Sequence, residues 1–179
     1  LRAPIFFFPS LKKNPAKNLT NIDASMQNIQ SAIAENRRIA HELVAPDFST
    51  LRLLDLLHSL TDNMLKNSGI DVVVDANVLN ENLLTDQQKL TIYRIVQEQC
   101  TNIVKYAEAK SVKISLGMAD NFFKMIIADD GKGLEAGKIT TGIGLRNIKS
   151  RLSLFSGTLD ICSAKGKGFV LEIVIPLNQ

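Results

Sequence analysis

The sequence predicts an α/β sandwich, one mixed and mostly antiparallel sheet with helices on one face, preceded by a coiled-coil-like helix. Three observations carry that reading. Apolar residues recur every three or four positions through 20–44 and again through 85–107. The repeat becomes two in "SVKISLGM" and "FFKMIIAD". A glycine-rich stretch then leads into one more amphipathic helix and a closing pair of strands.

Taken in order, residues 1–18 contain Pro4, Pro9 and Pro15, which cannot sit inside a regular helix, so this segment is expected to be irregular. From residue 20, Ile22, Met26, Ile29, Ile33, Asn36, Ala40 and Leu43 alternate steps of four and three, a coiled-coil seam with one polar core position. That helix needs a partner and ends near Val44, because Pro46 biases the residue before it away from helix. The boundary divides the chain into 1–46, a helical element, and 47–179, an α/β domain. A second helix is expected over about 50–67, so rich in leucine that it is apolar nearly all round and should be buried, with "NSG" stopping it. "IDVVVDA" (70–76) reads as a strand, and Thr85 as the N-cap of a long helix over 85–107. "ADN" turns the next two strands into a hairpin, and "LRNIKSRLSLFSG" carries Leu145, Ile148, Leu152 and Phe155 on one side of a helix.

Composition excludes several classes. The chain is 179 residues long, 45% hydrophobic, and its net charge of +3 is scattered, without a basic run of the kind that makes a nucleic-acid arm or a membrane-surface helix, so no nucleic-acid partner is expected. Cys100 and Cys162 fit no metal-binding spacing and read as reduced, buried thiols, in keeping with a cytoplasmic location. The longest apolar stretch near the N-terminus, "APIFFF", is too short to span a bilayer.

The chemistry concentrates in "DDGKGLEAGKITTGIGL", 129–145. It lacks the spacing of a P-loop or a dinucleotide turn. It offers DxGxG at a strand end, then Gly142 and Gly144 opening a helix, where free amide hydrogens make an anion site. Asp129, at a buried strand end, needs a hydrogen-bond donor, and an adenine amino group is one. On the long helix Ile92, Val96, Cys100, Ile103 and Ala107 form one stripe, with Arg94, Glu98, Asn102 and Lys105 opposite. That ridge reads either as a solvated face or as a phosphate and Mg²⁺ site, in which the Asn102 amide oxygen suits the hard cation and Lys105 meets phosphate as a point charge.

"QEQCTNIVKYA" (97–107), "DDGKGL" (129–134), "GIGLRNI" (142–148) and "GKGF" (166–169), in this order, resemble the four nucleotide-binding boxes of the GHKL ATPase superfamily, and most of all the catalytic domain of two-component sensor histidine kinases. The resemblance covers about 20–179. It implies the Bergerat ATP-binding fold and ATP with Mg²⁺ as cofactors. It implies that Asn102 coordinates Mg²⁺, that Glu98 is the polar or basic residue beside the γ-phosphate, and that Lys105 faces the phosphates. Asp129 then binds the adenine amino group, Gly131 and Gly133 shape the base pocket, and Gly142, Gly144 and Leu145 belong to the nucleotide site at the end of a lid over 134–141. One departure stands out: Phe169 occupies a position where the family commonly has a Thr or Ser whose hydroxyl supports the aspartate, which predicts weakened adenine binding. Tyr106 stands where many relatives have His.

The same resemblance makes 20–44 the second helix of a dimerisation hairpin, with a homodimer and a response-regulator receiver domain as partners and any membrane contact confined to an upstream sensor region. His41 and His58 fit the phosphoacceptor position poorly, so the acceptor histidine is expected upstream of Leu1. The activity implied is ATP-dependent protein histidine kinase, a transferase acting in a phosphorelay. Two alternatives are a degenerate nucleotide-binding dimerisation module, which Phe169 favours, and another GHKL ATPase such as an anti-sigma-factor kinase, which the leading helix disfavours.

Overall fold

The computed structural model describes residues 46–48, 50–134 and 143–177, together with Met26 and Ile29. The chain divides into two compact units, Leu1–Ala45 and Pro46–Gln179. In the first, Met26 and Ile29 are helical and exposed; the rest of the seam, the segment 1–18 and His41 lie outside the described residues.

The second unit begins with α1, Leu53–Met64, shorter than the helix expected over 50–67. Its start is set from a distance. Glu81 accepts a hydrogen bond from the Leu53 amide at 2.6 Å and pairs with Arg52 Nε at 2.9 Å, satisfying a helix-end donor that no local side chain caps. The helix closes through a 3-10 turn, Lys66–Ser68, and Gly69 in the left-handed conformation. Only one face is buried, through Leu53, Leu57 and Leu60, while Leu51 is exposed and Leu54 and Leu56 are half-buried. The leucine-rich run therefore does not become a helix buried all round: a helix resting on one sheet face has a solvent side whatever its composition.

Strand β1, Asp71–Val78, is followed by α2, Asp86–Asn102, then by β2, Ser111–Ala119, and β3, Phe122–Asp129. The Thr85 N-cap expected from sequence is present as a capping box, with Gln88 returning a bond to the Thr85 amide. Helix α3, Ile143–Ser153, precedes β4, Thr158–Ser163, and β5, Phe169–Pro176. The sheet order is β1-β2-β3-β5-β4. The β1–β2 pair, joined across α2, is parallel; the other three pairs are antiparallel.

Alternation along the central strands separates the faces. Val112, Ile114 and Leu116, then Phe123, Met125 and Ile127, then Leu171, Ile173 and Ile175 are buried and pack against Leu53, Leu57, Ile92, Ile95, Ile148 and Leu152 of the three helices. This is the α/β sandwich with helices on one face that the sequence predicts. Asp129 ends β3 opposite Val112 on one side and Phe169 on the other, so the glycine-rich stretch leaves the sheet from its middle strand.

Candidate functional site

A cleft of about 440 Å³ opens between α2, the end of β3 and the start of α3. Its lining comprises Gln99, Asn102, Ile103, Tyr106 and Ala107 from one wall, Asp129, Gly133 and Leu134 from the glycine-rich stretch, Gly144 and Leu145 from α3, and Phe169 from β5. That size and mixture, mostly apolar with few polar groups, suit a small ligand.

The helical wall departs from the regular stripe read from sequence. After Asn102 the backbone widens into a π turn, Ile103–Ala107, ended by Glu108 in the left-handed conformation. Ile103 and Ala107, assigned from sequence to the stripe opposite Asn102, line the cleft beside it. The turn also presents the Ala107 carbonyl to the glycine-rich stretch, where it accepts the Lys132 amide at 2.8 Å. The same carbonyl lies where a side chain on Gly131 would begin, so this close approach demands glycine.

The opposite side is held by the turn between β4 and β5. Gly166 donates its amide to the Lys132 carbonyl at 2.7 Å, and Ser163 Oγ donates to the Gly168 carbonyl at 2.8 Å while accepting the Leu134 amide at 2.9 Å. Gly168 has φ +73, and a Cβ there would collide with the Asp129 carbonyl oxygen. Two glycine-containing loops thus interlock around the end of β3, with Asp130 outside them. Its carboxylate accepts from the Lys110 and Ser111 amides at 2.8 and 2.9 Å and from Ser111 Oγ at 2.9 Å, tying the same strand end to the start of β2.

Asp129 is the result. Its carboxylate, half-buried on the cleft wall, accepts the Gly131 amide at 2.9 Å and is further supported by the Phe169 amide. Burial pushes its pKa above the usual carboxylate value, the two amides oppose that shift, and the charge of Asp130 adds to it. Phe169 contributes its backbone N–H, which any residue at this register supplies and which therefore does not replace the hydroxyl, and its ring becomes part of the apolar wall.

The remaining candidates divide. Asn102, Asp129, Gly133, Gly144 and Leu145 line the cleft. Gly131 is buried beneath it. The Glu98 carboxylate rests on Gly144 in the first turn of α3, a favourable location for a negative charge, and a Cβ on Gly144 would meet it. Lys105 is exposed and outside the cleft lining, on the solvent side of the π turn. Gly142 and all of the expected lid but Leu134 lie outside the described residues. His58 is exposed on α1. Sequence reasoning missed Gln99, a residue only 3% exposed, as well as Ser163 and Asp130. Gln99, Asn102, Ile103 and Tyr106 follow helical i, i+3, i+4, i+7 spacing, a signal present in the sequence but straddling the two stripes into which it was divided.

Among the described residues no group of three or more His, Cys, Asp or Glu is arranged to hold a metal ion. A Mg²⁺ here would fit only as a cation bound mainly by phosphates and water with the Asn102 amide as protein ligand, which is how this cation commonly binds with nucleotides. No helix among the described residues is long and apolar enough to cross a membrane.

Comparison with known proteins agrees with this fold. Residues 85–179 match the model of the histidine kinase-, DNA gyrase B-, and HSP90-like ATPases. The chain is 34% identical over 131 residues to the signal transduction histidine-protein kinase/phosphatase UhpB of Salmonella typhimurium, covering 73% of this chain and 26% of that protein. It is 28% identical over 159 residues to the sensor histidine kinase MctS of Rhizobium johnstonii, covering 87% of this chain and 34% of that one. The chain thus spans about a quarter to a third of the length of these relatives. The histidine kinase domain of the blue-light activated histidine kinase of Erythrobacter litoralis shares the fold, with a TM-score of 0.61, 19% identity, and coverage of 75% of this chain and 64% of that one.

Proposed function

The chain belongs to the family of histidine kinase-, DNA gyrase B-, and HSP90-like ATPases, and we propose that it is the ATP-binding catalytic part of a two-component sensor histidine kinase. The observation that carries this reading is the Asp129 carboxylate, held at the cleft wall by two backbone amides with further acceptor capacity and facing apolar walls of Ile103, Ala107, Leu145 and Phe169. An anion in an apolar cleft is favourable only with a donor to receive, and the adenine amino group is that donor.

In this reading the phosphates run from the cleft toward Asn102 and the first turn of α3. Asn102 supplies one oxygen to Mg²⁺, which neutralises phosphate charge. Glu98 stands beside that path as the polar or basic residue, Gly131 and Gly133 keep the base pocket open, and Gly142, Gly144 and Leu145 let the lid end and α3 approach the nucleotide. Lys105 meets phosphate only where it extends beyond the cleft, since its side chain is on the solvent side. Catalysis is positioning and charge neutralisation. A ring nitrogen of the acceptor histidine forms a bond to the γ-phosphorus as the bond to the β,γ-bridging oxygen breaks, and ADP leaves. The acceptor lies on a dimerisation helix, residues 20–44 form part of the homodimer, and a receiver domain takes the phosphoryl group next.

The test is thermal unfolding with ATP and Mg²⁺, with Asp129→Ala and Asn102→Ala alongside. At about a hundred times its Kd, a ligand bound only to the native state adds about 2.7 kcal/mol. Asp129→Ala should abolish the gain and Asn102→Ala should abolish its Mg²⁺ dependence. No stabilisation of the wild type at millimolar ATP refutes the site. Transfer of label from ATP to a histidine-bearing dimerisation hairpin then tests the kinase activity.

A further inference from the structure

Away from the nucleotide cleft, a second pocket of about 370 Å³ lies between the chain entering α1, the loop after β1 and the first turn of α2, all within the second unit. Its lining is mainly polar, with Thr50 and Arg52 before α1, Asn80, Glu81 and Asn82 after β1, and Lys89 on α2. Lys89 is its unusual member. The side chain is only 14% exposed, yet its ion-pair partner among the described residues is Asp86 at 3.6 Å, a carboxylate 74% exposed and outside the lining. That separation is too long for a hydrogen bond, and such a pair on a helix surface is worth little. The Lys89 ammonium nevertheless remains open to solvent, because the one partnerless side-chain polar atom sealed from it, among the described residues, is Gln99 Nε2. A largely desolvated ammonium facing a pocket is stabilised by an anion that reaches it.

The other polar groups of the lining are donors or are already engaged. Glu81, its one carboxylate, has both oxygens occupied, Oε1 by Arg52 Nε at 2.9 Å and Oε2 by the Leu53 amide at 2.6 Å. Its charge is balanced by Arg52, so the charge left over in the lining is that of Lys89. The bond through Nε leaves the two terminal guanidinium nitrogens of Arg52, the fork that suits planar oxyanions, available to a ligand. Asn80 Oδ1 accepts the Asn82 amide at 3.3 Å, which leaves Asn80 Nδ2 as a donor, and Asn82 adds its own side-chain amide. Thr50 Oγ1 reaches the Asp47 carbonyl only at 3.5 Å. We propose that this pocket is a second ligand site, for a small oxyanion whose phosphate or carboxylate group is held by Lys89 and the Arg52 fork, with the Asn80 and Asn82 amides alongside. A bound anion ties the segment leading into α1 to the start of α2. The proposal stands on this pocket alone and does not depend on the adenine-nucleotide reading of the cleft.

The experiment is a residue-resolved NMR titration of the chain with inorganic phosphate and, separately, with succinate. The amide signals of Asn80, Asn82 and Lys89 should shift and saturate with at least one probe; saturation by phosphate alone or by succinate alone assigns the group that the site takes. In Lys89→Gln the Kd read from the Asn80 and Asn82 signals should rise about 10-fold, the value of one charge-assisted hydrogen bond. Lys124→Gln, on β3 and outside the pocket lining, removes the same charge and should leave the Kd within about 2-fold, since general screening of charge is all that it changes. Linear shifts without saturation for both probes, shifts confined to Asn102 and Gly144 of the nucleotide cleft, or equal weakening by the two substitutions overturn the proposal. Should Lys89→Gln not fold, Asn82→Ala takes its place with an expected weakening of about 3-fold, and an unchanged Kd in that variant overturns the proposal too.

Discussion

Two glycines two residues apart give a matched test of how the site is built. Gly166 and Gly168 have φ of +72 and +73, so an alanine at either pays the same left-handed backbone penalty, about 1–2 kcal/mol for a residue with a Cβ. Their surroundings differ. A Cβ on Gly166 meets nothing within 4 Å, whereas one on Gly168 collides with the Asp129 carbonyl oxygen. That oxygen cannot withdraw freely, because Asp129 is laddered between Val112 and Phe169 in the middle of the sheet. Forcing backbone apart there adds the cost of overpacking, about 1–3 kcal/mol. Gly166→Ala should therefore lose about 1 kcal/mol and Gly168→Ala about 3 kcal/mol, a difference of about 2 kcal/mol that isolates the collision from the dihedral strain. Urea denaturation with unchanged m-values reads the stabilities. An ATP titration on the same variants reads the site, since the displaced strand end carries the Asp129 carboxylate: Gly168→Ala should weaken binding by about 10-fold and Gly166→Ala hardly at all. Equal destabilisation by the two substitutions, or full ATP affinity in a destabilised Gly168→Ala, would refute the claim that these interlocked loops position Asp129.

Neighbouring carboxylates should give opposite pH dependences. Burial raises the pKa of Asp129, so the folded state binds its proton more tightly than the unfolded chain; its contribution is fully present below the unfolded value of about 4 and is lost as pH rises through the higher folded value. Asp130 is held below the ordinary value by the Ser111 and Lys110 amides, so its contribution is present above about 4 and is lost as pH falls through the lower folded value. Denaturation midpoints from acid to neutral pH should show Asp129→Asn removing a decline with rising pH and Asp130→Asn removing a rise, and slopes of the same sign would contradict the assignment. The two thiols should also separate: burial pushes Cys100 up to about 12, whereas Cys162 is exposed. Iodoacetamide near neutral pH should label Cys162 alone in the native protein and both only after unfolding, and native labelling of Cys100 would contradict its burial.

Order and type of the elements were legible because each was written in a local repeat. Thr85 with Gln88 announced the start of α2, and the period-two strands announced the hairpin and its inner face. Asp129 and the glycine boxes were legible because a close backbone approach leaves its mark on composition at fixed spacing. What the sequence by itself determined was therefore the sandwich, the family and the carboxylate, Asp129, that the cleft wall presents. Only the tertiary structure decided the rest. Helix α1 begins where Glu81, distant in sequence, caps it, and it shows solvent a side that its leucines did not predict. The chain widens into a π turn after Asn102, with Ala107 in the cleft lining and Lys105 outside it. Phe169 supports Asp129 through its backbone, which carries no side-chain signature. The burial of an unpartnered Gln99 amide is likewise invisible until the surrounding chain is in place, because whether a polar group is satisfied depends on its neighbours in space.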